Sequence, residues 1–391
     1  MPDAPLPGPP RARDRLARIT KLVLANVAVS VLLFVAVEGL LSTLLFAWDV
    51  LNERVTPERR HTRYDAELGW VAIPNVRIPD IYGPGVYLRT NSRGFRGERE
   101  LTEAVPRGKS RVICSGDSMT LGFGVDDDHS WCKVLESLDQ SIETVNMGQA
   151  GYGVDQAYLW YKRDAAAFRH HVHLFAPIVD DFRRMQSSVF SGYGKPLLAI
   201  EDGALVVKNI PVPARAYRVP WLTEVASHLH SLRAAQMLRR LRGQPALTPS
   251  APSDAERNER TAQVVAKLLE DLKRLNEERA SRLVLVYLPT LNDLDSDQGN
   301  FWGGVLERQS EALGIRFINL VEEFKKLPDE EAFALYPATD PVHLNPKGNE
   351  YVAKLIHRRL RTFPEISRIL FADDGHRRES PGAEAAAGRG R

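Results

Sequence analysis

Two patterns divide the chain: an almost unbroken apolar stretch from Thr20 to Trp48, and from Arg111 onward short apolar runs that alternate with segments of helical period. The first stretch is about 40 Å long as a helix, more than the roughly 30 Å hydrocarbon core of a bilayer. Residues 20 to 48 are therefore expected to form one transmembrane anchor. The later runs, Arg111 to Cys114, Glu143 to Met147, Val172 to Val179, Arg282 to Leu288 and Ile315 to Leu320, have strand length and composition. Most segments between them are long enough for crossover helices, which predicts an α/β domain over 111 to 373 with a doubly wound parallel sheet. The segment from Asp254 to Glu278 places Val264, Leu268, Leu272 and Leu275 on one face, as a crossover helix packed on a sheet requires.

The remaining segments break these periods. Residues 1 to 19 are rich in Pro and Arg and read as a flexible tail. Residues 49 to 110 mix charge with Gly-Pro and Asn-Ser-Arg-Gly punctuation around the strand-like Val86-Tyr87-Leu88-Arg89-Thr90, and read as a β-containing collar. Residues 183 to 254 are longer than a crossover needs. They hold a predicted hairpin, Pro196 to Ile200 and Leu205 to Val207 around Glu201-Asp202-Gly203, then an amphipathic helix from about Trp221 to Leu241 and a Pro/Ser linker at 243 to 253. This insertion is expected to cap the carboxyl edge of the sheet, where ligands bind. Residues 374 to 391, rich in Gly, Ala and Arg, are expected to be disordered.

Charge refines the picture at the N-terminus. Arg11, Arg13, Arg15, Arg18 and Lys21 lie at or before the apolar stretch, which orients the N-terminus to the cytoplasm and everything after Trp48 to the extracytoplasmic, periplasmic side. A cleaved signal peptide is the alternative, but the exit Leu44 to Trp48 lacks the small-residue pair that cleavage needs. Glu38 is the one carboxylate inside the stretch; it either reaches the headgroup region, is protonated or meets a partner helix. Elsewhere the formal charge of +2 and the absence of a basic block with interleaved aromatics argue against nucleic acid as a partner. Only Cys114 and Cys132 occur, so a disulfide-built scaffold is excluded. Their positions fit two buried thiols better than a bridge.

The candidate chemistry gathers at strand ends. Ser118 follows the first strand, Gly148 and Gly151 the second, Asp180 and Asp181 the third, Asn292 the fourth, and Asp340 and His343 lie beyond the fifth. In an open α/β sheet all of these fall on the same edge. A serine hydroxyl needs a base within hydrogen-bond reach and a third group to orient it, and Ser118, His343 and Asp340 supply the three. This chemistry needs no cofactor and no metal. His170, His171 and His173 carry no matching carboxylate or cysteine cluster and are read as strand-boundary residues rather than ligands. Arg233, Arg239, Arg240 and Arg242, on or after the insertion helix, are read as a solvated face, with an anionic headgroup or glycan as the alternative.

Gly116-Asp117-Ser118, Asn146 to Tyr152 and Asp340-Pro341-Val342-His343 together resemble the nucleophile, second and final blocks of the SGNH, or GDSL, hydrolase superfamily over about Arg111 to Thr362. Asp65 to Trp70 and Asn91 to Gly97 are similar to collar motifs of its membrane-anchored bacterial members, many with envelope polysaccharide functions. The resemblance implies a flavodoxin-like fold and a serine esterase or O-acyltransferase in which Ser118, His343 and Asp340 are catalytic. The Ser118 and Gly151 amides would bind the oxyanion. Asp117 is expected to tie down its turn rather than react.

One block departs from the family. Where the family has Asn before Asp, as a third oxyanion donor, this chain reads Asp180-Asp181, and an ionised Asp180 cannot donate. Three outcomes are open: burial and the adjacent Asp181 keep Asp180 protonated, as we expect; Asn292 donates instead, although a turn role suits it better; or the domain is weakly active. The expected function is hydrolysis or transfer of a small acyl group on an envelope carbohydrate or lipid. The rival is an inactive binding or assembly protein of a polysaccharide system.

Overall fold

The computed structural model describes residues 12–51, 60–165, 168–190, 193–214, 254–294, 297–338 and 340–371. The helix expected from Trp221 to Leu241, the linker at 243 to 253, Arg233, Arg239, Arg240, Arg242 and the tail after Asp374 lie outside the described residues. The chain divides into two units, which are taken separately.

In the N-terminal unit, α1 runs over Ala12–Leu51. It starts earlier than expected, because Arg and Leu in Arg13 to Ile19 are good helix formers and extend the apolar helix backwards. Its segment Arg18–Leu40, 23 residues, is long and apolar enough to cross a membrane, a property that a signal sequence shares.

The second unit begins with the collar. Strands β1 (Thr62–Asp65) and β2 (Gly69–Ala72) form an antiparallel hairpin, as do the two-residue β3 (Arg77–Ile78) and β4 (Leu88–Arg89). The predicted Val86 to Thr90 strand thus shrinks to two paired residues. The core follows: β5 (Ser110–Gly116), α2 (Ser118–Leu121), α3 (Trp131–Leu138), β6 (Ile142–Gly148), α4 (Val154–Asp164), β7 (Val172–Ala176) and α5 (Val179–Arg184). Two hairpins come next, β8 (Val189–Phe190) with β9 (Tyr193–Gly194) and β10 (Leu197–Glu201) with β11 (Ala204–Lys208). In the second, Asp202 and Gly203 both take positive φ (50° and 77°), the geometry of a two-residue type I′ turn. The chain then adds α6 (Asp254–Glu277), β12 (Arg282–Tyr287), α7 (Leu291–Leu294), α8 (Asp297–Leu313), β13 (Arg316–Asn319), α9 (Leu320–Phe324), α10 (Asp329–Phe333), α11 (Pro346–Thr362) and α12 (Pro364–Phe371).

Five strands make one all-parallel sheet in the order β13-β12-β7-β5-β6. By position along the chain this is 2-1-3-4-5, the flavodoxin-like order. Every residue of β5, β6 and β7 is buried, as expected of strands covered on both faces. Successive residues serve opposite cores: Val112 and Cys114 pack in one, with Trp131, Val352 and Ile356, whereas Ile113 packs in the other, with Leu268, Leu272 and Trp302. Cys114 and Cys132 are buried free thiols in the first core, and burial, with Cys132 beside it, pushes the Cys114 thiol well up.

Strand β7 ends at Ala176, three residues before the expected Val179. Ile178 stays apolar and buried, so composition alone extends the strand. The Asp181 carboxylate instead reaches back to accept the Ile178 N–H at 3.1 Å and starts α5.

Buried ion pairs brace this unit. Arg111 donates to Glu143 across β5 and β6 at 2.6 Å, and its remaining donors reach the Thr102 and Ala104 carbonyls. Lys195, fully buried, donates to Asp155 at 2.5 Å and to the Pro196 carbonyl at 3.1 Å, and so ties the described part of the insertion to the first turn of α4.

Candidate active site

The register sets three strand ends level. Gly116 pairs with Gly148 on one side and with Ala176 on the other, so the loops after β5, β6 and β7 leave the sheet at the same height. Asp117 caps the first of them: its Oδ1 accepts the Met119 N–H at 2.8 Å, and Gly122 closes the single turn of α2 in the left-handed region. Ser118 is thereby fixed at the helix start. Gly148 permits the close approach of this turn, because a Cβ there would overlap the Leu121 amide.

The structure brings Ser118, His343 and Asp340 together from opposite ends of the domain. His343 Nε2 lies 2.8 Å from Ser118 Oγ, and His343 Nδ1 lies 2.7 Å from Asp340 Oδ2. A carboxylate at Nδ1 holds the proton there and leaves Nε2 as the acceptor. Asp340 is fixed in turn by the Val342 and His343 amides, at 2.9 and 3.1 Å on Oδ1. Burial opposes its charge, but the His343 hydrogen bond and charge and these two amides win, and its carboxyl sits at about 2. Ser118 is buried, at 4 % exposure of the residue, whereas the side chains of His343 and Asp340 are 17 % and 28 % exposed. Two cavities, of about 220 Å³ beside Arg96 and Asp127 and about 360 Å³ beside Leu198 and Arg260, are lined by neither Ser118 nor His343.

Phe123 and residues of the collar pack around the loops of the triad. Phe123 stacks on His343, with ring centroids 4.3 Å apart, and Tyr82 packs against Phe123 at 4.4 Å. Trp70 Nε1 donates to the Ala150 carbonyl at 3.0 Å, and Tyr152 Oη donates to the Trp70 carbonyl at 2.6 Å, which clamps the loop that carries Gly151. Gly151 takes φ +77°, and a Cβ there would strike the Phe190 ring. Arg96, from the Asn91 to Gly97 motif, is buried; it pairs with Asp127 at 2.8 Å and donates to the Gly122 and Val125 carbonyls at 2.6 Å each. The two collar motifs therefore secure the loops on which Gly151 and Ser118 stand.

Asp180 does not have the environment expected of it. Its side chain is 21 % exposed and bonded by Arg183 Nη2 at 2.6 Å, whereas Asp181 beside it is 2 % exposed. Burial and the neighbouring Asp117 push the Asp181 carboxyl well above the usual range. Asn292 is exposed on α7. Its neighbour Asp293 is buried, and its carboxyl is raised to about 6 by burial despite hydrogen bonds from the Thr290 N–H and hydroxyl.

The histidines of β7 and its approach are bound into the interior. His173 lies between Ser115 Oγ (2.5 Å) and Asn276 Nδ2 (3.2 Å) and stacks on Tyr161; His170 Nε2 meets Tyr161 Oη at 2.9 Å; and His171 Nδ1 accepts the Arg111 N–H at 3.1 Å. Among the described residues no group of three or more His, Cys, Asp or Glu is placed to hold a metal ion. The residue that sequence reasoning missed is Arg184, which donates to Asp117, Asp181 and the Tyr152 carbonyl. Its one sequence signal was the i, i+3 spacing from Asp181.

No protein-family model and no curated protein matches the chain. Solved structures similar to it include a lipolytic protein of the G-D-S-L family from Veillonella parvula (13 % identity, 64 % of this chain and 97 % of that one, TM-score 0.37). A catalytic mutant of an acetylxylan esterase from Geobacillus stearothermophilus (13 % identity, 66 % and 96 %, TM-score 0.38) and an esterase from Pseudoalteromonas (12 % identity, 65 % and 98 %, TM-score 0.36) are similar as well. At these identities and scores the likeness says nothing of activity. The chain is a five-stranded parallel α/β protein similar to G-D-S-L lipolytic proteins and acetylxylan esterases.

Proposed function

We propose that this protein is a membrane-anchored serine acyl-hydrolase or O-acyltransferase. It would act on an ester-linked small acyl group of an envelope carbohydrate or lipid. The observation that carries the proposal is the continuous chain of hydrogen bonds from Ser118 Oγ through His343 to Asp340. His343 Nε2 takes the hydroxyl proton as Ser118 Oγ attacks the acyl carbonyl, and Asp340 stabilises the imidazolium that forms. The Ser118 and Gly151 amides receive the oxyanion. Collapse of the tetrahedral intermediate expels the alcohol, which takes the proton from His343 and leaves an acyl-enzyme on Ser118. Water or an acceptor hydroxyl then attacks, loses its proton to His343 and releases Ser118. Hydrolase and transferase share each of these residues and differ only in the second nucleophile. The basic residues before the apolar segment of α1 favour an extracytoplasmic domain.

A serine-directed phosphonate should label the full-length protein in detergent at Ser118, and His343→Ala should abolish the labelling. No adduct at any pH from roughly 6 to 9, a range that spans the ordinary histidine titration, would favour the second reading. That reading, a non-catalytic binding protein, is favoured by Asp180, a carboxylate paired with Arg183 where a neutral donor would serve an oxyanion. The two make opposite forecasts for Asp180→Asn. In an enzyme, removing the charge and adding a donor should raise kcat on an aryl acetate by roughly tenfold or more; in a binding protein turnover stays at background. Release of acetate from acetylated glycans, with and without an alcohol acceptor, separates hydrolysis from transfer.

A further inference from the structure

Arg184, at the end of α5, has a side chain only 11 % exposed. Its Nη1 lies 2.9 Å from Asp117 Oδ2, 2.6 Å from Asp181 Oδ1 and 3.0 Å from the Tyr152 carbonyl, and its guanidinium lies over the Phe190 ring at 5.2 Å. One side chain thus joins the loops after β5, β6 and β7. What it does to Ser118 follows from a competition. The Ser118 hydroxyl has a single proton and two acceptors in reach, His343 Nε2 at 2.8 Å and Asp117 Oδ2 at 3.2 Å. The Asp117 oxygen is the same one that Arg184 holds. A bare, buried carboxylate would be the stronger acceptor for that proton; one that already receives a guanidinium hydrogen bond is a weaker one.

We propose that Arg184 is a positioning residue that neutralises Asp117 and so leaves the Ser118 proton to His343, a role that rests on the serine-hydrolase function proposed above. A single guanidinium faces two carboxylates here. Its Nη1 reaches Asp181 at 2.6 Å and Asp117 at 2.9 Å, and the Asp117 oxygen it reaches is the one that competes for the Ser118 proton.

The role is tested with Arg184→Met, Asp117→Asn and the double variant, each full-length in detergent, by steady-state turnover of an aryl acetate. Arg184→Met should lower kcat roughly ten- to hundredfold, the scale of a misaligned nucleophile, with KM changed by less than about twofold. Asp117→Asn removes the competing charge but keeps the acceptor that caps α2, so the double variant should recover at least about tenfold in kcat over Arg184→Met. A purely structural Arg184 would lower the melting temperature without this recovery. The proposal fails if Arg184→Met retains the kcat of the wild type, or if the double variant is no faster than Arg184→Met. Where Arg184→Met does not fold, Arg184→Gln, which keeps an N–H donor and loses the charge, carries the same comparison. A wild type that neither turns over nor takes a phosphonate at Ser118 overturns the hydrolase proposal and this role with it; an active wild type with an indifferent Arg184 overturns only this one.

Discussion

Ser118→Ala is expected to lower kcat/KM for an aryl acetate by about 10⁴- to 10⁶-fold, the range in which removal of a serine nucleophile leaves only binding and oxyanion stabilisation. The fold should be indifferent. The turn around Ser118 is held by the Asp117 carboxylate on the Met119 N–H and by backbone bonds from Gly122 and Phe123 to the Ser118 carbonyl, none of which uses the hydroxyl. An alanine therefore keeps the backbone and removes one polar atom that is 4 % exposed as a residue. Activity and thermal unfolding measured on the same preparation separate the two effects. More than about a tenth of the wild-type activity in the alanine variant, far above the residual expected of a missing nucleophile, would show that Ser118 is not the attacking group.

Lys195→Met is expected to destabilise the domain by about 3–5 kcal/mol, the cost of leaving a buried partner charge uncompensated. Lys195 and Asp155 are both fully buried, and the ammonium also donates to the Pro196 carbonyl. Methionine fills the space and leaves Asp155 as a lone carboxylate beneath the first turn of α4. For a domain of this size the melting temperature should fall by roughly 6–20 °C. Adding Asp155→Asn should recover much of the loss, because the charge without a partner is then gone. A single variant that melts within about 2 °C of wild type, less than 1 kcal/mol, would show that water or another group satisfies Asp155. The location gives the pair a functional weight as well. Asp155 lies four residues beyond Gly151, and a Cβ on Gly69 of the collar would overlap the Gly194 carbonyl next to Lys195, so collar, insertion and site loop meet at this point.

Much of the domain could be read without coordinates because its strands are short apolar runs, buried on both faces, that lie between helices of period 3.6. Each of the five expected strands is present, shifted at its ends by hydrogen-bond register. Ile178 shows why ends are hard: a buried residue before a helix looks like a buried strand residue until the Asp181 carboxylate is seen to start the turn. The same helix start sets Asp180 and Asp181 in different surroundings. Successive residues of a helix point about 100° apart, so of two adjacent aspartates one faces the interior and one the solvent. Composition does not say which.

The sequence by itself determined the α/β alternation, the apolar N-terminal helix and the placing of Ser118, Gly151, Asp340 and His343 on one sheet edge, since chain order and strand direction suffice for these. Only the tertiary structure decided that Asp181 rather than Asp180 is buried, that Phe123 and Tyr82 back the imidazole, that Lys195 finds Asp155 and that Arg184 bridges three loops. The reason is physical. Periodicity is a property of neighbours along the chain, whereas a charge buried beside one distant partner, or a ring stacked on another, depends on which elements pack face to face and in what register.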